Sequence, residues 1–422
     1  MSLATSSLSR PTTRTHLAPW LRVSAAVFAV AWGGNEFTPL LVTYRLEEHL
    51  SAVTVNVLLG AYVVGIVPAL LIGGPLSDRY GRRALALPAP VLALVGSAVL
   101  AAGGGSTAQL FVGRVFSGLA LGLVMAVGTA WIKELSLPPF DAAADDGAGA
   151  RRAALVLTIG FALGAAVAAG IAQSGTAPEV LPYVVNVALC ILSLALMWSA
   201  PETRRRATAP ARLRDDLKIP AASHRRFVFV VAPLAPWVFG TAASAYAILP
   251  VLFSAQVRGA EVGFAGLLCL IALGCGVAAQ SVVRSIDRAG SARTIVVSFA
   301  TTAVGLALAA WASVTMLLPV AIVAAAALGT AYGFLLVTGL QEVQRIAGPD
   351  DLAGLTAVYY SLSYLGFFVP ALLASLSPMI GYPILFAVGG ALALVSLLAT
   401  CAAHRRYGVL PISPRRTPPQ RG

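Results

Sequence analysis

Two charged residues stand inside long apolar stretches, where their types could do chemistry. Glu36 lies in the run WGGNEFTPLL and Arg114 in the run GRVFSGLALG. A charge inside a membrane-spanning segment costs roughly 2.5–3.5 kcal/mol on insertion scales, so it usually faces a cavity or a partner. We predict that Glu36 holds a transferable proton and that Arg114, at a similar depth, tunes its affinity electrostatically. The competing interpretation is a static pair that braces two helices, or a glutamate that reaches the membrane interface.

The composition of the whole chain indicates a membrane protein. Of 422 residues, 58% are hydrophobic and 11% are charged, and mean hydropathy is +0.84. A soluble protein of this length would carry roughly 25% charged residues. The net charge of +12 could suit nucleic acid, but the basic residues lie in short segments between apolar runs. We therefore expect a lipid bilayer as the partner and no nucleic acid.

Charges, prolines and polar turns divide the chain into twelve predicted membrane-spanning helices, which makes the expected fold all-α. Each predicted helix has about the 20 apolar residues needed to cross a bilayer. The least marked divisions fall around Ser313 and Pro378. The predicted spans are residues 21–43, 52–74, 84–104, 107–131, 153–174, 180–200, 227–252, 262–284, 294–312, 315–340, 353–376 and 381–402.

The distribution of basic residues predicts the orientation. With the N-terminus placed in the cytoplasm, 26 of the 29 lysines and arginines fall on the inner side. Arg45 and Arg258 fall outside, and Arg114 lies within a span. Cytoplasmic segments carry an excess of basic residues. We therefore predict a multi-pass protein of the cell (plasma) membrane with both termini cytoplasmic.

An internal repeat predicts two six-helix halves related by a pseudo-two-fold axis. Pro39 recurs as Pro250, 211 residues later, and three glycines of the fourth span recur in the tenth at the same offset. Such parallel repeats place a substrate site between the halves. The predicted units are an N-terminal tail 1–20, an N-terminal bundle 21–200, a cytoplasmic linker 201–226, a C-terminal bundle 227–402 and a C-terminal tail 403–422.

The most specific motif lies between spans two and three, where residues 74–83 read GPLSDRYGRR. It is similar to the signature loop of major facilitator superfamily transporters, and a weaker copy, SIDRAGSAR, follows span eight. The chain resembles this superfamily over nearly its whole length, which implies transport by alternating access. In the family this loop latches the halves together, and the implied partner here is span eleven. Charge anchoring alone would explain the arginines of the loop but not its aspartate and second glycine. The implied latch residues are Gly74, Asp78, Arg79, Gly81, Arg82, Asp287, Arg288 and Gly290.

Two further motifs bear on packing and coupling. GRVFSGLALG is similar to the family's fourth-span motif R-x-x-x-G, and GFALG at 160–164 resembles its antiporter motif with the proline and paired glycines replaced by alanines. Small residues spaced by four also serve general helix packing. The resemblance implies proton-coupled antiport, that is, efflux of a lipophilic molecule by a drug/proton antiporter; the alternative is a proton symporter that imports a small nutrient. The predicted packing residues are Gly118, Gly122, Gly160 and Gly164.

The predicted substrate cavity is aromatic and carries one carboxylate. At the repeat offset, Asn35 and Glu36 correspond to Tyr246 and Ala247, so the ionisable group occurs in one half only. Such a cavity suits a lipophilic, cationic small molecule better than a sugar. The predicted cavity residues are Asn35, Tyr62, Trp237, Tyr246, Tyr332, Thr338, Tyr359, Tyr360 and Tyr364.

Several function classes are disfavoured by what the sequence offers. Both lysines follow an aliphatic residue, so there is no P-loop for a nucleotide. The four cysteines lie in apolar runs and the four histidines lie outside the spans, which gives no metal-ligand cluster. We expect no cofactor, no metal, no enzymatic activity and a monomer that handles a small-molecule substrate and protons. A non-transporting membrane sensor or enzyme is the alternative from another class.

Overall fold

The computed structural model describes residues 17–104, 106–145, 147–175, 177–204, 218–287, 291–348 and 351–407. Within these ranges the regular secondary structure is entirely helical. Eleven of the helices described are long and apolar enough to cross a membrane, and a further apolar helix, Leu181–Met197, has 17 residues. The predicted all-α fold with twelve spans is confirmed. The predicted latch residues Arg288 and Gly290 lie outside the described residues.

The twelve helices are numbered along the chain. Their bounds lie within a few residues of the predicted spans, because long apolar runs end where charges, glycine or proline interrupt them. The helices are α1 Pro19–Leu46, α2 Ala52–Tyr80, α3 Arg82–Ala101, α4 Thr107–Leu135, α5 Ala148–Gln173, α6 Leu181–Met197, α7 Phe227–Leu252, α8 Glu261–Ile286, α9 Arg293–Thr315, α10 Leu318–Ile346, α11 Leu352–Ile380 and α12 Tyr382–Arg406.

The two least marked divisions fall at residues with left-handed backbone. The helix α9 ends beside Met316, whose φ is 54°, rather than at Ser313. The helix α11 continues through Pro378 and ends at Gly381, where φ is 79°. Glycine adopts positive φ without the steric cost that a Cβ atom imposes. Gly381 is therefore a better sequence signal for the end of α11 than Pro378.

The packing of α1–α6 is repeated in α7–α12. In the first half, α4 packs against α2 and α3, and α1 packs against α5. In the second half, α10 packs against α8 and α9, and α7 packs against α11. The halves contact each other through α5 with α8 and through α2 with α11. The repeat relates these two contacts to each other, because α5 corresponds to α11 and α8 corresponds to α2. A pseudo-two-fold axis requires this correspondence.

Glycines on α4 and α10 permit the closest helix contacts within each half. A Cβ atom at Gly122 would lie 2.7 Å from the carbonyl oxygen of Ile66 on α2, and one at Gly118 would overlap another α2 carbonyl oxygen. Their repeat counterparts Gly329 and Gly333 lie in the same way against the backbone of α8. The repeated glycines therefore lie where two backbones meet directly.

The halves are packed together at one end of the bundle. We call the end that carries residues 198–204 the linker face and the other end, with loop 47–51, the opposite face. At the opposite face Gln173 of α5 donates to the carbonyl of Gly259 at 2.7 Å, and the backbone N–H of Gly263 donates back to Gln173 at 2.8 Å. At the other contact between the halves, Gly60 of α2, eight residues from the start of that helix, lies against Phe368 of α11. The halves are therefore in direct contact at the opposite face, and we call this arrangement the closed state.

Candidate functional site

The first helix is irregular where its glutamate lies. Regular α-helix covers Pro19–Asn35 and resumes at Phe37–Leu46, with Glu36 between them. Pro39 has no N–H, so the carbonyl of Asn35 loses its partner four residues on, and the pyrrolidine ring crowds that turn. The matching proline, Pro250, follows a π-helical turn in α7. Proline thus loosens the first helix of each half at corresponding positions.

Glu36 is fully buried and only half satisfied. Its Oε1 atom accepts a hydrogen bond from Ser97 Oγ on α3 at 3.0 Å. The same hydroxyl lies 2.9 Å from Oδ1 of Asn186 on α6, and since it has one proton it donates to one acceptor at a time. Among the described residues Glu36 Oε2 accepts no hydrogen bond of normal geometry, although the Trp32 side chain lies near the carboxyl group. Ser97 and Asn186 were not predicted; their polarity within apolar spans three and six is the signal that could have found them.

Arg114 is fully buried between two aromatic rings. Its guanidinium carbon lies 4.6 Å from the ring centre of Phe37 and 4.4 Å from that of Tyr62. Cation–π contacts are worth about 2 kcal/mol or more when desolvated. Its Nε donates to the carbonyl of Leu58 at 3.4 Å, whereas Nη1 and Nη2 have no hydrogen-bond partner among the described residues. Glu36 and Arg114 are therefore not directly bonded in this closed state, and both retain unused bonding capacity.

Aromatic rings from both halves meet beside Arg114. We call Tyr62, Phe239, Tyr332, Tyr364 and Phe367 the aromatic cluster. The ring of Phe239 stacks on that of Tyr364 with centres 4.5 Å apart, and Tyr62 meets Phe367 edge-on at 5.3 Å. Phe239 lies 5.6 Å from Tyr332. The cluster unites three predicted cavity tyrosines on α2, α10 and α11 with two phenylalanines that were not predicted.

Three other predicted cavity residues take part in packing within the second half. Thr338 Oγ1 lies 3.0 Å from the hydroxyl of Ser298 on α9. The Tyr359 hydroxyl donates to the carbonyl of Leu335 on α10 at 3.0 Å. Trp237 packs edge-on against a phenylalanine of α9. The polar or aromatic groups of these three residues therefore already have partners within the second half, away from the candidate site.

The last three predicted cavity residues differ in their surroundings. Asn35 Nδ2 donates to the carbonyl of Phe161 on α5 at 3.0 Å and lies 3.6 Å from Cys269 Sγ on α8, so it touches both halves. Tyr246 is buried in the π-helical turn of α7. Tyr360 is half-buried on α11. Asn35 therefore lies where the halves meet, next to Glu36 in the chain.

The signature loop forms an ion-pair network at the linker face. Arg82 binds Asp78 at 3.0 Å and Glu134 of α4 at 2.7 Å. Glu202 accepts hydrogen bonds from the backbone N–H groups of Arg82 and of the next residue, each at 2.9 Å. Arg204 lies 3.4 Å from Asp78. Among the described residues, the ion-pair partners of Asp78 lie in the first half (Arg82) and in the linker (Arg204). Span eleven supplies neither of them in this state, so the latch across the halves stays a prediction.

Three other residues of the signature loop differ in their surroundings. Gly81 has φ of 99° and lies against Glu202, where a Cβ atom would be 2.7 Å from a carboxylate oxygen. Arg79 lies in the last turn of α2. A Cβ atom at Gly74 would meet nothing within 4 Å. Glycine is therefore required sterically at 81 and not at 74.

A second network occupies the linker face of the other half. Arg345 binds Asp287 at 2.6 Å and Glu342 at 2.5 Å. Glu342 also binds Arg226 at 2.6 Å, and both side chains are at most 2% exposed. His404 of α12 lies 3.2 Å from the Arg226 guanidinium. Of these residues only Asp287 was predicted; the signal for the others was charge at the ends of spans seven, ten and twelve.

Comparison with known proteins identifies the family. A family model for the Major Facilitator Superfamily matches residues 23–370. The chain belongs to the major facilitator superfamily. It is therefore a multi-pass membrane transporter by family.

Curated superfamily relatives match this transporter only over segments. It is 29% identical over 160 residues to Probable inositol transporter 2 of Arabidopsis thaliana, which covers 34% of this chain and 23% of that protein. It is 27% identical over 96 residues to Glucose transporter GlcP of Staphylococcus epidermidis, and the match covers 23% of this chain and 21% of that protein. The chain spans about a quarter of the length of these relatives. Neither name describes a drug/proton antiporter, the subtype that the motifs favoured.

Solved structures of the superfamily share the fold. The xylose transporter XylE from E. coli, in a partially occluded inward open conformation, matches with a TM-score of 0.68 and 16% identity over 90% of this chain and 97% of that one. A POT family transporter in complex with 5-aminolevulinic acid matches with a TM-score of 0.73 and 13% identity, over 93% of this chain and 96% of that one. At these identities the likeness shows the fold and not the substrate.

Proposed function

We propose that this protein is a proton-coupled transporter of a small organic solute and that Glu36 carries the coupled proton. The observation that supports this proposal most directly is the environment of Glu36, a fully buried carboxyl group with one oxygen bonded to Ser97 and the other without a partner among the described residues. An intramembrane carboxyl group is costly and typically functional.

Arg114 supplies the means of coupling. Burial disfavours a charged carboxylate, whereas a nearby guanidinium favours it. In the closed state the Arg114 guanidinium lies between Phe37 and Tyr62 and does not bond Glu36. Tyr62 also belongs to the aromatic cluster that joins the halves, so a change at that cluster moves one of the rings that hold Arg114. Substrate and proton are coupled because movement of Arg114 relative to Glu36 changes the proton affinity of Glu36.

We propose symport of a sugar- or polyol-sized solute as the mode of transport. The support is the relatives, whose names describe transporters of inositol and glucose. The tyrosines of the aromatic cluster offer hydroxyl groups for hydrogen bonds and ring faces for apolar contact. The alternative is antiport of a lipophilic cation, which is favoured by the resemblance of GFALG at 160–164 to the antiporter motif. Gly160 also serves packing, since a Cβ atom there would lie 2.7 Å from Ala31 on α1.

Transport by purified protein in liposomes tests the role of Glu36. The probes are radiolabelled D-glucose, myo-inositol and the lipophilic cation tetraphenylphosphonium, each with and without an imposed pH gradient. We expect Glu36→Gln to abolish accumulation driven by the gradient and to retain exchange of labelled for unlabelled solute, since exchange needs no net proton movement. Glu261→Gln makes the same chemical change at the start of α8 and serves as the matched control.

The outcomes separate the alternatives. Accumulation of D-glucose or myo-inositol with the proton gradient supports symport. Accumulation of tetraphenylphosphonium in exchange for protons supports antiport instead. A Glu36→Gln protein whose transport keeps the wild-type pH dependence rules out Glu36 as the proton carrier.

A further inference from the structure

A line of buried polar side chains leads from Glu36 towards the opposite face within the first half. It consists of Glu36, Ser97, Asn186, Tyr183 and Tyr44, each at most 1% exposed, and we call it the polar file. At its inner end Ser97 bridges Glu36 and Asn186. At its outer end the hydroxyls of Tyr44 and Tyr183 lie 2.8 Å apart. The file is enclosed by α1, α3 and α6, whereas the aromatic cluster lies between the halves.

Helix geometry aligns the two ends of the polar file. Asn186 follows Tyr183 by three residues, so they lie on one face of α6 about one turn apart. Tyr44 follows Glu36 by eight residues, which places it about 12 Å closer to the opposite face along α1. Between them Thr43 lies on the same face of α1 as Glu36, two turns on. No hydrogen bond among the described residues joins the two ends of the file, and along α6 they are separated by the single turn between Asn186 and Tyr183.

Unused polar atoms lie at both ends of that interval. Thr43 Oγ1 and Glu36 Oε2 are both buried without a hydrogen-bond partner in the part of the chain that the structure describes. Buried polar atoms of proteins nearly always have a partner, and internal water serves where several polar groups converge. Hydroxyl groups and water each donate and accept hydrogen bonds, so they can pass a proton along.

Acidic side chains lie where the polar file reaches the opposite face. Glu179 precedes Tyr183 by four residues and lies beside Glu48 and Glu47, which follow α1. Burial, and then the charges of Glu48 and Glu47, raise the pKa of Glu179 to about 7. A group of this kind exchanges protons with solvent readily near neutral pH.

We propose that the polar file conducts protons between the opposite face and Glu36, while the solute passes between the two halves. This inference rests on the proposed role of Glu36. Asn186 carries no O–H group, so it orients the Ser97 hydroxyl and takes no part in the transfer itself. Each transfer between hydroxyls or internal water breaks one O–H bond and forms another, so every hydroxyl and water keeps its proton count, Glu36 gains a proton, and Glu179 recovers its own from bulk water. The file lets Glu36 be protonated from the opposite face while the interface between the halves is closed there.

Infrared difference spectroscopy of protein in liposomes, with the opposite face outward, tests the proposal without a known solute. The signal is the carboxyl C=O band that appears after a drop in external pH and that Glu36→Gln removes. The variant is Tyr44→Phe combined with Tyr183→Phe, which removes both hydroxyls and leaves neither unpaired. We expect the band to appear more slowly by about tenfold or more, with an unchanged midpoint pH and unchanged kinetics when the pH drops on the linker side. Tyr382→Phe, at the start of α12, is the matched control.

Each outcome has a distinct meaning. A double variant that keeps the wild-type rate overturns the polar file and leaves Glu36 as the proton carrier. A band that survives Glu36→Gln overturns the proposed function instead. If the double variant does not fold, Thr43→Val removes one hydroxyl at nearly constant shape, and its rate decides in the same way: slower protonation supports the file, and an unchanged rate overturns it.

Discussion

The substitution Gly122→Ala tests whether direct backbone contact between α2 and α4 holds the first half together. A Cβ atom at this position would lie 2.5 Å from Ala69 Cβ and 2.7 Å from the carbonyl oxygen of Ile66. Ordinary contacts of a Cβ atom begin at 3.4 Å, so the helices would have to separate by about 0.7–0.9 Å. Neither neighbouring atom belongs to a flexible side chain, so the helices themselves must move.

Two opposing effects set the size of the change. Overpacking of a well-packed interior costs about 1–3 kcal/mol, while alanine in a helix is more favourable than glycine by up to about 1 kcal/mol. We therefore expect a net loss of about 1–2 kcal/mol in the free energy of unfolding. Gly170→Ala on α5 serves as the control because a Cβ atom there meets nothing within 4 Å. Gly170→Ala gains the higher helix propensity of alanine and brings no steric overlap with another helix. It should therefore leave the free energy of unfolding unchanged or raise it.

A thermal assay with a thiol-reactive dye measures the effect. Cys190 and Cys269 are buried, so the dye reports their exposure on unfolding. We expect the apparent Tm of Gly122→Ala to fall by a few degrees and that of Gly170→Ala to stay constant or rise. Equal Tm values for the two variants would show that α2 and α4 separate without cost, which would refute the packing argument.

Two further predictions concern the linker face. Glu342→Gln should lower the apparent Tm, because the substitution leaves the buried Arg226 guanidinium without its counter-charge. Loss of one partner of a buried ion pair costs about 3–5 kcal/mol. An unchanged Tm would show that the pair contributes nothing to stability. Cysteines introduced at Asp78 and Asp287 should both react with a membrane-impermeant maleimide added from the linker side and from that side only. Reaction from different sides would contradict the arrangement of two parallel six-helix halves.

The sequence predicted the helices far better than the contacts between polar side chains. The bounds of α7 agree with the predicted span 227–252, because an apolar run between charged segments has few ways to lie in a bilayer. The polar neighbours of Glu36 were not predicted. Ser97 is 61 residues away, and Asn186 is 89 residues beyond Ser97. Whether such side chains meet depends on how each helix is rotated about its axis, which hydropathy does not report.

The signature loop shows the same limit. Its motif places Asp78 and Arg82 only four residues apart, so they can meet across the turn at Gly81 that separates α2 from α3. Glu202, which caps the loop, comes from a segment 120 residues away. Its partners could not be deduced from the motif, because a carboxylate at a span end has several basic residues within reach in sequence.

The sequence by itself determined the membrane environment, the number and limits of the helices, the repeat and the superfamily, because apolar length, charge and glycine spacing act locally along the chain. Only the tertiary structure decided that Arg114 lies between Phe37 and Tyr62, that Glu36 bonds Ser97, and that the halves close at the opposite face. Those features arise from packing between distant helices, where side-chain direction and backbone separation are set jointly by all the neighbours.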